Sequence, residues 1–279
     1  VINWAAQTYN EPHLLDEFNV GGLTDDPVRT LTQGLLLKYK PFNFDILPLY
    51  IVVLAACPPA LWLMLRRPDV TIAGALVLYF AARQFGWNLP AYPSGVWYFN
   101  PFTWQFLFML GAWSALGGAA RMRMVIRSPA VLVIGTAYLS FALVMTMAGH
   151  FEAIGRSFPE WLVSAFNPND KTNLGPFRIV HFLSLALIVA RLIPCGSPAL
   201  KLSFLRPALI CGERSLEVFC TGIFLAFVAH FLIELFSASI AFQLVVSVAG
   251  VAAMTAVAQY RIWIKGIGSS SNSPSWGTA

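Results

Sequence analysis

Charge is what this sequence has least of. Asp, Glu, Lys and Arg together make up 11% of its 279 residues, against about 25% in soluble domains. That shortfall, with 57% hydrophobic residues and a mean hydropathy of +0.66, excludes a soluble globular fold. It also excludes a disordered or fibrous chain, whose apolar content is far lower. Cysteine is scarce. Cys57, Cys195, Cys211 and Cys220 show no C-x-x-C spacing and sit in or beside apolar runs, so they read as small buried hydrophobes rather than disulfides or metal ligands. There is no HExxH, P-loop, GxSxG or dinucleotide fingerprint, which leaves metal and nucleotide chemistry without support. No secretory signal peptide and no internal repeat is evident, and the first residue is Val1. The net charge of +5 does not indicate a nucleic-acid partner, because the basic residues stand at the ends of apolar runs, as in membrane proteins.

What is there is length of apolar sequence. A transmembrane helix needs roughly 20 mostly apolar residues, and seven stretches qualify: Ile46–Leu65, Val70–Leu89, Pro101–Ala120, Pro129–Gly149, Pro176–Ile193, Ser215–Phe236 and Ile240–Ile264. The second is weakened by Arg83. A shorter run from Ala208 leads into the sixth. Pro101, Pro129 and Pro176 each open a run, where the missing N–H has no partner to lose. Pro58 and Pro59 fall inside the first run and are expected to kink it. The fold class expected is therefore all-α, a polytopic transmembrane bundle of about seven spans. An extracytoplasmic segment (1–44) precedes the bundle (45–265), and a flexible, Gly- and Ser-rich cytoplasmic tail (266–279) follows it. The Trp, Tyr and Phe content, 9, 8 and 22 residues, suits aromatic belts at two interfaces.

Loop charge sets the orientation. Arg66, Arg67, Arg121, Arg123, Arg127, Arg191, Lys201, Arg206, Arg214, Arg261 and Lys265 fall on one side with only Asp69, Glu213 and Glu217, a net +8. The other side carries 7 basic and 10 acidic residues, a net −3. The positive side is expected to be cytoplasmic, with the C-terminus inside and the first 45 residues outside. The segment Val1–Asn43 is polar, with Glu11, Asp16, Glu17, Asp25 and Asp26, and carries no signal to export it. An odd number of helices is therefore expected before Val1.

An ionisable side chain within a span costs about 2.5–3.5 kcal/mol on insertion scales and is a functional candidate by default. Arg178 and His181 are three apart, so they share a face one turn inside the outer surface. Asp45, Arg83, Asn100 with Gln105, and Asp170 with Lys171 mark four further helix ends or loops at the same level. Bland readings stand beside each. Arg83 and Arg178 can snorkel to headgroups. Asp45 can be a helix cap. Arg214 and Glu217 can be an i,i+3 pair. His230 can be a satisfied interior histidine. The stretch WNLPAYPSGVWYFNPFTW (87–104), with Trp87, Tyr92, Trp97, Tyr98, Phe99 and Trp104, reads either as an aromatic belt or as a stacking platform for sugar rings.

The segments KPFNFDILPLY (40–50), LPAYPSGVWYFNPFTWQFLFMLGAW (89–113), DKTNLGPFRIVHFL (170–183) and ERSLEVFCTGIFLAFVAH (213–230) together resemble the OpgC family. Its members are membrane succinyltransferases of osmoregulated periplasmic glucans, related to the integral-membrane acyltransferases. The resemblance runs from about Gly34 to Ile264. It implies about ten helices with both termini cytoplasmic, of which these seven are the last. It also implies an Asp–His pair on the first helices, the usual candidate base; nothing of that kind precedes Ile46, and His13 does not match it. The implied reaction moves a succinyl-type acyl group from an acyl-CoA, succinyl-CoA, to a glucan hydroxyl, with no tightly bound cofactor and no metal. On that reading His181 and Arg178 are catalytic. Asp45, Arg83, Trp97, Asn100, Asp170 and Lys171 bind substrate. The partners are membrane lipid, the glucan acceptor and the acyl-CoA donor, and the location is the bacterial inner membrane. The competing reading is a non-catalytic membrane protein, either a glucan or lipid conduit or a degenerate acyltransferase relative.

Overall fold

The computed structural model describes residues 21–41, 44–166, 170–193, 197–236 and 239–270. Residues 1–20 (His13 among them), 42–43, Cys195 and residues 271–279 lie outside the described residues. The chain divides into two compact units, Val1–Leu192 and Ile193–Ala279.

Every long element is a helix. In the first unit these are α1 (Pro27–Leu35), α2 (Ile46–Arg66), α3 (Pro68–Phe85), α4 (Pro101–Trp113), α5 (Pro129–His150) and α6 (Pro176–Leu192). In the second they are α7 (Arg206–Glu213), α8 (Ser215–Phe236) and α9 (Ile240–Ser270). The seven apolar runs thus correspond to α2–α6, α8 and α9. Four stretches are long and apolar enough to cross a membrane, among the described residues: Ile46–Arg66, Pro129–His150, Ser215–Glu234 and Ile240–Ile264. α4 and α6 are shorter than a span, at 13 and 17 residues.

Proline and glycine explain the boundaries. Pro27, Pro68, Pro101 and Pro129 each occupy the first turn of their helix, where a missing donor is harmless. α3 ends at Gly86, whose φ of +66° is the left-handed cap conformation that glycine adopts without strain. α2 runs unbroken through Pro58 and Pro59. The break falls instead in the third run. After Trp113 the chain makes a wide turn over Ser114–Gly118, with Gly117 at φ +105°, so the helix expected over 101–120 stops at residue 113.

The core of the first unit lies between α2, α3, α4 and the start of α6. It comprises Met64, Ala75, Tyr79, Phe106, Met109, Leu174 and Ile179. α5 packs on α6 where Gly135 lets the backbone of Ser184 come close. Outward faces stay apolar: Val77, Phe80, Val133, Ile134, Val245 and Val248 are all exposed. Exposed apolar surface on this scale is what a lipid-facing bundle presents, and a water-soluble one buries it. At one end of the first unit, Arg121 pairs with Asp69 at 2.9 Å, and Arg191 donates to the carbonyls of Ile126 and Arg127. The opposite end gathers the polar groups described next.

Candidate functional site

The polar end of the first unit is organised by the loop 170–175 ahead of α6. Asp170 accepts from the backbone N–H of Asn173 through Oδ1 at 3.0 Å, a local turn that short acidic side chains favour. Leu174 takes a positive φ of 49° and is held there by burial (1% exposed) and by Tyr79, whose hydroxyl donates to its carbonyl at 2.8 Å. From α3, Arg83 Nη1 donates to the Asn173 carbonyl at 2.8 Å and to Asp170 Oδ2 at 3.3 Å. From α4, Trp104 Nε1 donates to the carbonyls of Lys171 and Thr172.

Asn100 is the centre of this end. It is fully buried and caps α4, with Oδ1 accepting from Phe102 N–H at 3.0 Å. Its Nδ2 donates to the Trp87 carbonyl at 2.6 Å and to Asn173 Oδ1 at 2.9 Å. Its own N–H donates to the Thr172 carbonyl. One side chain thus ties the end of α3, the start of α4 and the loop before α6.

A second cluster joins the start of α2 to the loop 86–100. The Lys40 ammonium lies 4.3 Å from the centre of the Trp97 ring and 3.9 Å from Asp45 Oδ1. At that separation the pair attract without a direct hydrogen bond. Burial pulls Lys40 below its ordinary value against the pull of Asp45. Burial likewise pushes Asp45 up against the opposing pull of Lys40, so desolvation outweighs the mutual attraction at both groups. Trp97 is 2% exposed, with Lys40 on its face, and its Nε1 has no hydrogen-bond partner among the described residues. Its ring is therefore not presented for stacking; Trp87 and Tyr98 of the same loop are the exposed aromatics.

The third grouping is a cavity of about 540 Å³ between α5 and α6, within the range of small-molecule sites. Lys171, Arg178 and His181 line it, with His150 facing them from the end of α5. Tyr138, whose hydroxyl donates to the Phe177 carbonyl, and Phe166, stacked near Phe177, form part of its wall. None of its described lining residues is acidic. Arg178 Nε is buried without a hydrogen-bond partner among the described residues. Two permanent cations and two imidazoles facing an uncompensated space make a site for an anion.

The expected site residues therefore fall in three places. Arg83, Asn100 and Asp170 form one network. Asp45 and Trp97 meet through Lys40. Arg178, His181 and Lys171 share the cavity, and the loop 170–175 connects network to cavity, because Lys171 gives its carbonyl to Trp104 and its side chain to the cavity. His230 belongs to the second unit, where it lines an apolar cavity between α8 and α9. Asn173, Tyr79, Lys40 and His150 were not singled out from the sequence. His150 carried a usable signal, since it closes an apolar run at the level where Arg178 and His181 open the next.

A sequence profile of the family described as OpgC protein matches residues 1–266 of the chain. No curated protein and no solved structure matches it.

Proposed function

We propose, from the premise that this chain belongs to the OpgC family, that it carries the anion-binding part of a membrane O-acyltransferase that succinylates osmoregulated periplasmic glucans. The observation that carries the reading is the α5–α6 cavity, cationic and free of acidic lining among its described residues. A succinyl group differs from a simple acyl group by a terminal carboxylate. Arg178 offers a planar fork to bind it in two-point contact, and Lys171 adds a second positive charge. His181, one turn along α6, faces the same space and serves proton transfer or holds the acceptor. The donor is an acyl-CoA, succinyl-CoA, whose thioester a glucan hydroxyl attacks. The hydroxyl is a poor nucleophile until a base takes its proton, and the oxyanion that forms needs donors aimed at it.

Arg83, Asn100 and Asp170 act on this site as positioning residues, by fixing the loop that presents Lys171. Asp45 and Trp97 hold the entry to α2. In the membrane we place seven spans, α2–α6, α8 and α9, with the shorter ones completed by flanking residues. The Arg-rich end faces the cytoplasm, as does the C-terminus, and the cavity end faces the periplasm, consistent with the loop-charge asymmetry. Attaching succinate converts a neutral glucan into an anionic one.

The test is the succinyl content of periplasmic glucans from cells whose gene carries Arg178→Ala, Arg178→Lys or His181→Ala, with protein level checked in the membrane. Arg178→Ala is expected to abolish most succinylation and Arg178→Lys to restore only part of it. In membranes given a succinyl or an acetyl donor, Arg178→Ala is expected to lose the preference for succinyl. Wild-type substitution in all three variants would overturn the reading and favour a non-catalytic conduit or a degenerate relative.

A further inference from the structure

We infer that a second cavity, beyond the end of α5, is the acceptor subsite, and that Glu160 makes it a charge filter, which admits a neutral glucan and turns away one already succinylated; this role rests on the acyl-transfer reading of the α5–α6 cavity. It is a binding role, and no proton transfer is assigned to it. The space measures about 650 Å³, within the range of small-molecule sites. Its polar lining is His150, Glu152, Arg156, Glu160 and Ser164, and Phe158 adds an apolar wall.

After α5 the chain folds back as two short helical pieces, Glu152–Gly155 and Glu160–Phe166. Gly155 comes so near the last turn of α5 that a methyl there would meet the Ala148 carbonyl oxygen at 2.8 Å. Glycine alone allows that approach, and it seats the segment against the end of the helix. The piece 160–166 also reaches the α5–α6 cavity. Glu160, Val163 and Ser164 line the acceptor space, while Phe166, its ring centre 4.0 Å from that of Phe177, lines the other. His150 lines both. The two spaces therefore adjoin through a common wall.

Their charges are opposite. The α5–α6 cavity carries Lys171 and Arg178, with no acid among its described lining residues. In its neighbour Arg156 is held by Glu152 at 2.5 Å, and the charges of that pair cancel. Glu160 forms no ion pair among the described residues, so it sets the sign of the space. An ionised carboxylate accepts hydrogen bonds and donates none, which suits sugar hydroxyls and opposes a second carboxylate. Succinylation turns the acceptor from neutral to anionic. The product is then repelled by the group that bound its precursor, while the carboxylate of the acyl group is drawn to the cationic side. The repulsion reaches about 8 Å at physiological ionic strength, so it is felt from sugars near the point of attack and limits repeated substitution there.

The experiment uses the intact protein in its membrane, a succinyl thioester donor, and one gluco-oligosaccharide in two forms, unsubstituted and chemically succinylated. The readout is the ratio of kcat/KM for the two acceptors. Wild type is expected to favour the unsubstituted form, and that preference to shrink as salt is raised. Glu160→Gln keeps an accepting oxygen but not the charge. It should lower the preference about 2–5-fold, flatten its salt dependence and leave KM for the donor little changed. Glu160→Lys should reverse the preference. A ratio and a salt dependence equal in wild type and Glu160→Lys overturn the filter. Equilibrium binding of the same two oligosaccharides to the intact purified protein separates this from failure of the acyl-transfer reading. Arg178→Ala should lose transfer and keep the binding preference. No transfer by wild type, with a binding preference that Glu160→Lys reverses, overturns the acyl-transfer reading and keeps the cavity as a site for neutral glucan. No transfer and no binding preference removes both.

Discussion

Substituting Asn100 tests whether the polar end of the first unit is held as one piece. Its carboxamide is fully buried and makes three side-chain hydrogen bonds across three segments. Asn100→Ala removes a helix cap, a loss of about 1 kcal/mol. It also strips the donor from the Trp87 carbonyl and from Asn173 Oδ1, about 1 kcal/mol each. Only the Asn173 bond reaches the loop 170–175, so of the total of about 3 kcal/mol about 1 kcal/mol bears on docking and raises the undocked fraction about 5-fold. Asn100→Asp separates the parts, because it keeps the acceptor for Phe102 N–H but loses both donors and sets a carboxylate against two oxygens. A buried reporter is available in Leu174, 1% exposed. With Leu174→Cys as the only cysteine, maleimide labelling in native membranes measures the undocked fraction. Labelling is expected to be about 5-fold faster with Asn100→Ala and no slower than that with Asn100→Asp. Equal labelling of Asn100 and both variants would falsify the claim that this side chain docks the loop.

Three further outcomes are expected. Arg83 and Asp170 are part-exposed and 3.3 Å apart, so a double-mutant cycle with Arg83→Ala and Asp170→Asn in a detergent unfolding assay should give a coupling of only about 0.2–1 kcal/mol. Arg83→Ala should be the more damaging single change, since it also frees the Asn173 carbonyl. Lys40 has its pKa lowered by burial and Asp45 has its pKa raised. Folding stability therefore rises as pH rises from the lowered Lys40 value toward 10.5, because the buried ammonium sheds its desolvation cost even as its attraction to Trp97 and Asp45 is given up, and the Asp45 contribution is lost as pH rises through its raised value. Acetylation of Lys40 followed by mass spectrometry should show a half-point below 10.5, and Asp45→Asn should lower it further by removing the opposing pull. A methyl at Gly118 would enter the Trp113 indole, whereas one at Gly111 meets nothing. Gly118→Ala should therefore cost about 1–3 kcal/mol in thermal unfolding, and Gly111→Ala should be neutral or stabilising by up to about 1 kcal/mol.

The helices were legible because apolar length and an opening proline are local signals. Pro101 and Pro129 mark true starts, and Pro176 opens α6. The ends were less legible. The second run was expected to reach Leu89 but stops at Phe85, because Gly86 supplies a left-handed cap that hydropathy cannot register. The expected disruption at Pro58 and Pro59 and the actual break at Gly117 show the same limit: what interrupts a helix depends on whether neighbours satisfy the freed carbonyls, which is a tertiary matter. At the candidate site, the i,i+3 spacing of Arg178 and His181 fits the cavity that both line. Helical spacing says nothing of which other helix faces them, so His150 escaped notice. The aromatic-rich stretch 87–104 reads as a belt or as a stacking platform, and nothing in it sets Trp97 apart from its neighbours. The sequence offers no sign that Lys40, 57 positions earlier, covers it.

The Arg83 bond to the Asn173 carbonyl has a consequence for recognition. A guanidinium fastened to backbone, rather than to a mobile side chain, fixes the course of the polypeptide that carries Lys171. On the proposed reading, the carboxylate of the succinyl group then meets a charged wall already in its final position. Little conformational freedom is left to be surrendered on arrival, so selectivity can rest on the fit of the guest's charge to the host.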